Sequence, residues 1–284
     1  MFGFNGPFAY VHGADGLDGM SSKAKPVPAM QSRWLEGLTW PEAELALHEL
    51  PTVLLPLGAR TKEHGHHLPL NNDWLIAEYL AQRVAEQCPV LVLPTLQYGY
   101  YPAFLEYPGS ISVRSDVCRD AVLDICRSLA HQGAKRFYVL NTGISTVKPL
   151  QAARLAVMGE GSRFEFTDIR TAYEPLRRQL ETQPAGTHAD ELETSMMLYI
   201  APEVVRMDRA ERDIHPDRGP GGLTRDPKAN AGVYSPTGAY GDPTLATVQK
   251  GKVLVEGMVS ILVEQVRTLS AEHVRRAPAT LPSR

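Results

Sequence analysis

A short apolar run passes directly into a crowded polar loop in residues 52–73, TVLLPLGARTKEHGHHLPLNND. The run 52–58 predicts a buried β-strand, because a few consecutive apolar residues that end at a glycine are typical of a strand covered on both faces. In α/β proteins, functional side chains lie beyond the carboxyl ends of such strands. The loop 62–73 is therefore predicted to form a functional site.

The loop 62–73 gathers imidazoles and carboxylates around one glycine. Neutral imidazole and carboxylate are ligands of zinc and manganese, and an irregular loop can bring together side chains that a helix would hold apart. Taken jointly, Glu63, His64 and Asp73 favour a divalent metal site. Each has an ordinary interpretation as well: Asp73 precedes an amphipathic helix and suits its N-cap, and the two histidines that follow the glycine suit a protein surface.

The composition narrows the class of protein. The 284 residues are 43% hydrophobic and 21% charged, with a formal charge of −3, as in an ordinary soluble globular protein. Lysine and arginine are scattered, so we expect no nucleic-acid partner. The three cysteines form no CxxC pair and imply no disulfide framework. Since no long apolar run and no leader pattern is present, we expect a cytoplasmic protein without a membrane partner.

Strands and helices alternate along the chain from residue 34. Helices are predicted near 40–50, 74–87, 115–132, after 149, and near 188–200 and 244–270; strands are predicted near 53–57, 90–94, 137–140 and 164–171. This alternation predicts an α/β fold with a mainly parallel sheet covered on both faces.

The chain divides into two parts. Residues 1–33, rich in glycine and proline, are predicted to be an N-terminal arm, and residues 34–284 one domain. The long segment 207–243 is predicted to be a lid or a subunit contact.

Three further segments carry polar or aromatic groups. Residues 187–195 place His188 and Glu193 in a predicted helix start, although an acidic, solvated first turn is the plain alternative. The turn after the strand near 137–140 holds Ser145, which suits either a substrate contact or a simple connection. Tyr101 and Phe104 belong to an aromatic stretch that suits the wall of a substrate site, a subunit interface or the core.

Five ordered blocks of the chain resemble the creatininase (creatinine amidohydrolase) superfamily. They are LTWPE at 38–42; PLG at 56–58 with HG at 64–65, HLPL at 67–70 and Asp73; PGSIS at 108–112; HA at 188–189 with ETS at 193–195; and GDP at 241–243. The resemblance implies a three-layer α/β/α sandwich, a homohexamer, and divalent metals that activate water for attack on an amide-type carbon–nitrogen bond. By position, it makes His64 a metal ligand, Asp73 a bridging carboxylate and His188 an acid/base residue.

The chain departs from that family pattern at ligand positions. Lys62 stands where the family has a ligand glutamate, and Gly143 stands where it has a ligand histidine. Separately, Phe104 aligns with a histidine that the family usually has in its second block. An ammonium group has no lone pair and glycine has no side chain, so two metal ligands are missing. We therefore expect one zinc or manganese ion per chain, with Lys62 substituting for the lost charge or with Glu63 or His66 recruited as a ligand.

The sequence predicts a metal-dependent amidohydrolase that acts on a cyclic or linear amide of a small molecule. Two alternatives stay open: a metal-dependent lyase or isomerase, and a non-catalytic oligomeric binding protein of the same fold. The predicted catalytic residues are His188, Lys62 and Glu193; the predicted metal ligands are His64, Asp73 and Glu63; and the predicted substrate contacts are Tyr101, Phe104 and Ser145.

Overall fold

A computed structural model describes residues 32–271 of the protein. Its main sheet has five strands: β1 (Arg33–Trp34), β2 (Thr52–Leu57), β3 (Val90–Val92), β4 (Arg136–Asn141) and β5 (Arg163–Phe166). They are arranged in the order β1-β3-β2-β4-β5, and every neighbouring pair is parallel. The predicted mainly parallel sheet is confirmed.

Helices cover both faces of this sheet. They are α1 (Trp40–Glu49), α2 (Asn72–Ala85), α3 (Ser115–His131), α4 (Val147–Gly159), α5 (Ile169–Ala172), α6 (Glu174–Leu180), α7 (Glu191–Ile200) and α8 (Val248–Ala271). Helices α1, α3 and α4 share one hydrophobic cluster with the sheet, and α2, α7 and α8 share the other. The three-layer α/β/α sandwich is therefore confirmed.

Strand β2 shows why the sheet is central. All six of its residues are buried. Leu54 packs with α2, α7 and α8, whereas Val53, Leu55 and Leu57 pack with α1, α3 and α4. Since successive side chains of a strand point to opposite faces, a continuous apolar run supplies both cores at once. The carboxyl end of β2 consequently lies between the two helical layers.

Several predicted boundaries are wrong. Helix α7 begins at Glu191 rather than near His188, because the Asp190 carboxylate accepts the backbone N–H groups of Leu192 and Glu193 and so caps the helix. His188 therefore lies in irregular backbone before the helix. Strand β5 ends at Phe166 instead of continuing to residue 171.

The predicted lid segment has some regular structure. Within 207–243, β6 (Leu223–Thr224) and β7 (Val233–Tyr234) form a separate parallel pair. Gly222 passes so close to the backbone of Ala103 that a Cβ atom would overlap it. This contact fixes the segment beside the aromatic stretch of the chain.

The predicted N-terminal arm lies outside the described residues except for Ser32 and Arg33. Arg33 belongs to the edge strand β1, where it lies opposite Leu91 of β3. Across residues 32–271, every helix is too short or too polar to cross a membrane.

Candidate metal centre

The polar loop is folded tightly between β2 and α2. Gly58 follows β2 directly, and a Cβ atom there would overlap the carbonyl group of Asp73. The backbone N–H of Lys62 donates to the carbonyl oxygen of Leu70 at 3.0 Å, which closes the loop. Glycine at the strand end thus allows the first turn of α2 to approach the loop, as backbone-to-backbone contact requires.

His64 lies at the centre of the loop and is fully buried. Its Nδ1–H donates to the carbonyl oxygen of Lys62 at 2.9 Å, so Nε2 faces the opposite way, 2.8 Å from Asp73 Oδ1 and 3.4 Å from Glu193 Oε1. Burial and the nearby Lys62 charge would lower the pKa of His64, but the carboxylates of Asp73 and Glu193 outweigh them and raise it to about 9.

His188 lies close to both Glu193 and His64. Its Nε2–H donates to Glu63 Oε1 at 2.8 Å, and its Nδ1 lies 3.8 Å from Glu193 Oε2. The centroids of the His64 and His188 rings are 5.0 Å apart. Ala189, the next residue, has a φ of 48° and is therefore in the left-handed region. This conformation is uncommon for residues other than glycine and occurs often at functional sites.

Glu193 is positioned by the first turn of α7. Asn72 Nδ2 donates to its Oε1 at 2.9 Å, and the backbone N–H of Ala189 donates to its Oε2 at 2.7 Å. Burial would raise the pKa of Glu193, but the charges of His64, His188 and Lys62 hold it well below its usual range. Glu193 is therefore a fixed carboxylate that lies between the two imidazoles.

Lys62 forms a buried ion pair with Asp73. Its Nζ lies 2.7 Å from Asp73 Oδ2, 4.7 Å from the centroid of the Phe104 ring and 5.6 Å from that of Tyr101. Burial alone would lower the pKa of Lys62, yet Asp73 and Glu193 raise it, so the ammonium group stays charged. The N-cap interpretation of Asp73 is wrong, because α2 begins at Asn72 and the Asp73 side chain bonds within the loop.

Three of these residues form a group that can hold a divalent ion. One ligand atom each from His64, His188 and Glu193 lies within 4.8 Å of the others. The second nitrogen of each imidazole is held by a carbonyl or a carboxylate, as is usual for histidines that bind metals. Three carboxylates, Glu63, Asp73 and Glu193, face the single ammonium of Lys62. Because the pKa of His64 is raised to about 9, its imidazole holds a proton among these carboxylates, and a divalent cation would take the place of that proton.

The turn after β4 leaves no room for another ligand. A Cβ atom on Gly143 would lie 2.8 Å from Thr146 Oγ1 and 3.1 Å from Tyr101 Cε1. Asn141 fixes this turn by accepting the Gly143 N–H at 3.2 Å. The absence of a ligand at position 143 is therefore built into the packing around it.

The other three polar residues of the predicted loop site differ in burial and in their hydrogen-bond partners. Glu63 bonds to His188 and not to His64. His66 is exposed, and its Nδ1 lies 3.5 Å from Glu211 Oε1. His67 is buried and lies 2.8 Å from Thr194 Oγ1, which ties the loop to α7. Burial lowers the pKa of His67 to about 4, so this imidazole is neutral.

Sequence reasoning missed two residues of the centre. Asn72 orients Glu193, and Asp190 caps the helix that carries it. A signal for Asp190 was present, because an N-cap residue followed three positions later by glutamate is typical of a helix start. Asn72 has no such signal, since its partner is distant in the sequence.

A cavity of about 420 Å³ adjoins the centre. Lys62, Asp73, His188 and Glu193 border it, and so do all three predicted substrate contacts, Tyr101, Phe104 and Ser145. Asp217, Gly221 and Gly222 of the predicted lid segment also line it. The structure thus brings the predicted substrate contacts to the same space as the imidazoles and carboxylates.

Known proteins resemble this chain over most of its length. The sequence profile of the creatininase (creatinine amidohydrolase) family matches residues 36–266. Creatinine amidohydrolase from Pseudomonas putida is 30% identical over 251 residues, which cover 81% of this chain and 94% of that protein. Mycofactocin precursor peptide peptidase from Mycobacterium ulcerans is 29% identical over 232 residues, covering 76% and 84%. A solved structure of creatininase with Mn superposes with a TM-score of 0.69 at 27% identity, covering 85% of this chain and all of that one.

Proposed function

The chain belongs to the creatininase family of hydrolases that act on carbon–nitrogen bonds, and we propose that it is a metal-dependent amidohydrolase of small-molecule amides. The observation that carries the metal dependence is the position of the His64 Nε2 atom. It lies 2.8 Å from Asp73 Oδ1 and 3.4 Å from Glu193 Oε1, while the Nδ1–H of the same ring is held by the carbonyl oxygen of Lys62. An imidazole nitrogen among carboxylate oxygens, with its second nitrogen held by an acceptor, suits a divalent cation.

We assign the protein ligands of a single zinc or manganese ion to His64, Asp73 and Glu193. A catalytic site of this kind has three protein ligands and one open position, whereas a fourth protein ligand would close it. His188 is therefore reserved for proton transfer. In this assignment Glu193 takes the ligand role that the sequence suggested for Glu63, and Glu63 orients His188.

The bound ion would supply Lewis-acid activation of water and of the amide carbonyl. His188, which borders the cavity, donates its Nε2–H to Glu63, so its lone pair is on Nδ1, 3.8 Å from Glu193 Oε2. That nitrogen takes a proton from the attacking water and gives it to the departing nitrogen as the carbon–nitrogen bond breaks. Lys62 provides a permanent positive charge beside Asp73, where it attracts the developing charge on the substrate oxygen.

Both cyclic and linear amides are candidate substrates. The two relatives above are named for creatinine, a cyclic amide, and for a precursor peptide. Tyr101 and Phe104 supply ring faces on the Lys62 side, and Ser145 supplies a hydroxyl group from the turn after β4. We assign these three residues to substrate contact.

We also propose a homohexamer, as the family resemblance implies, and a cytoplasmic location. Large apolar side chains are strongly exposed on the described chain: Trp40 is 79% exposed, Leu155 76% and Leu105 58%. Association between copies would cover them. Light scattering at micromolar concentration tests this, and a stable monomer would contradict it.

The function is tested by metal analysis together with an amide-hydrolysis assay. Protein purified without chelator should contain about one zinc or manganese ion per chain. It should open the ring of creatinine or release amine from members of a panel of simple N-acyl amides. His64→Ala should lose both the ion and the turnover. His66→Ala is the matched control, because this histidine of the same loop is exposed. Two ions per chain would refute the single-ion site, and full turnover without any ion would refute the metal dependence.

A further inference from the structure

The cavity continues from the metal centre into an apolar end. Three helices, α2, α7 and α8, supply its walls there. The lining side chains of this apolar end are Ile76, Leu80, Leu192, Met196, Leu254 and Met258. All but Met196 are almost completely buried, so this part of the cavity lies inside the sandwich layer and not at its surface.

Helical periodicity connects the apolar end to the metal centre. On α2, Asp73, Ile76 and Leu80 follow one another at steps of three and four residues, which places them on one side of the helix. At 1.5 Å per residue, Leu80 lies about 10 Å further along α2 than Asp73. On α7, Met196 follows Glu193 by three residues in the same way. Each helix thus begins with a polar group at the centre and continues with apolar groups along the cavity.

The chemistry of the apolar end favours an aliphatic ligand. Its six side chains offer no hydrogen bond to a ligand beyond the weak thioether acceptors, so a polar group there would lose its solvation without compensation. Two arginines on α5 and α6 also border the cavity, but both are already paired: Arg170 lies 3.2 Å from Asp168 and Arg177 lies 2.9 Å from Glu181. Methionines on two walls suit a flexible chain, because their side chains adapt to irregular shapes.

Open space of this kind is unusual inside a sandwich layer. Protein interiors are packed with few voids larger than a water molecule, because side chains that line a void lose contacts. Concave, mostly apolar space beside a few convergent polar groups is typical of a ligand site. The apolar end therefore fits an extension of the substrate site better than it fits a packing defect.

We propose that the substrate is an amide with an unbranched aliphatic acyl chain, which occupies the apolar end while its carbonyl carbon lies at the metal centre. This inference rests on the proposed amidohydrolase function. Water supplies oxygen to the carbonyl carbon, the carbon–nitrogen bond breaks, and the proton leaves with the nitrogen, so the products are a fatty carboxylate and an amine. We place the aliphatic chain on the acyl side of the amide. The carboxylate product can then approach Lys62, and Asp73, the partner of Lys62, lies at the start of the apolar side of α2.

Calorimetric titration with n-alkanoates tests the chain-binding step without turnover. From acetate through butanoate and hexanoate to octanoate, the affinity of the metal-loaded protein should rise about fourfold per methylene group. A series of n-alkylamines should show no such rise. Equal affinity for acetate and octanoate would overturn the inference, and an equal rise for the amines would overturn its acyl assignment.

A variant that fills the apolar end gives the second measurement. Met196→Trp should weaken octanoate binding at least about tenfold and leave acetate binding unchanged. Met158→Trp is the matched control, because Met158 lies on α4 and is 37% exposed. If circular dichroism shows Met196→Trp unfolded, Leu254→Phe replaces it, and the alkanoate series on the unaltered protein stands independently. Tight octanoate binding without amide hydrolysis would refute the proposed function alone, whereas hydrolysis of short amides with a flat alkanoate series would refute this inference alone.

Discussion

The two sides of the metal centre contrast sharply although they share Asp73. On one side His64, His188 and Glu193 turn donor atoms toward a common point. On the other side the Lys62 ammonium bonds to Asp73 and lies against Phe104 and Tyr101. The first side gathers donor atoms of the kind that bind metals, and the second carries its own cation.

Under the proposed function, this difference would let the chain keep a positive charge at the centre where a metal ligand is missing. A bound ion needs several donors with free lone pairs, but a lysine needs only one carboxylate and room for its stem. Position 143 fits this view, because the Tyr101 ring and Thr146 occupy the space that a side chain there would need. Restoring a ligand at position 143 therefore requires changes in its neighbours as well.

The largest effect should come from the donor side. We expect His188→Ala to lower turnover of a responsive amide by about 10²–10⁴, the usual share of general acid–base catalysis, while the protein retains its ion. Steady-state kinetics and metal analysis of the same preparation measure both quantities. Loss of the ion together with turnover would make His188 a ligand and would leave the proton-transfer role without support.

Glu63→Gln is the control for this experiment. Glutamine can still accept a hydrogen bond from His188 but carries no charge, so turnover should fall by only about 10- to 100-fold, as for other partners that orient a functional histidine. A loss as large as that of His188→Ala would show that Glu63 does more than orient the ring.

The sequence predicted the strand and the polar loop of the centre, but not which side chains of the loop pair with distant residues. The apolar run of β2 is a local pattern, so both the buried strand and the polar loop after it could be recognised from residue order. The pairing of Glu63 with His188 joins residues 125 positions apart and depends on how α7 and the loop are packed. The hydrogen bond of His67 likewise joins it to Thr194, a distant partner that the composition of the loop does not reveal.

The ion-pair side should be broken by Lys62→Met. Methionine matches the lysine stem but leaves Asp73 as a buried carboxylate that has lost its ammonium partner, so the free energy of unfolding should fall by about 3–5 kcal/mol. Urea denaturation of the metal-free protein measures this loss without a contribution from ion binding. Lys62→Arg keeps the charge and should lose less. Equal stability of Lys62→Met and the unaltered protein would contradict the role of the pair.

The smallest effect should come from an ion pair that is similar in geometry but partly exposed. Arg83 on α2 lies 2.8 Å from Glu256 on α8, and the Glu256 side chain is 39% exposed. We expect Glu256→Gln to lower the free energy of unfolding by only about 0.2–1 kcal/mol at pH 7, because solvent screens the pair.

The pH dependence of this pair sharpens the comparison with Lys62. The hydrogen bond from Arg83 lowers the pKa of Glu256 below its ordinary value of 4.5. Since the unfolded chain then binds the proton more readily, the stabilisation is complete above pH 4.5 and is lost as the pH falls through the lowered pKa of the folded state. The unfolding free energies of Glu256→Gln and the unaltered protein should therefore converge across that window. A constant difference down to pH 2, or a loss as large as that of Lys62→Met, would show that burial does not set the strength of these pairs.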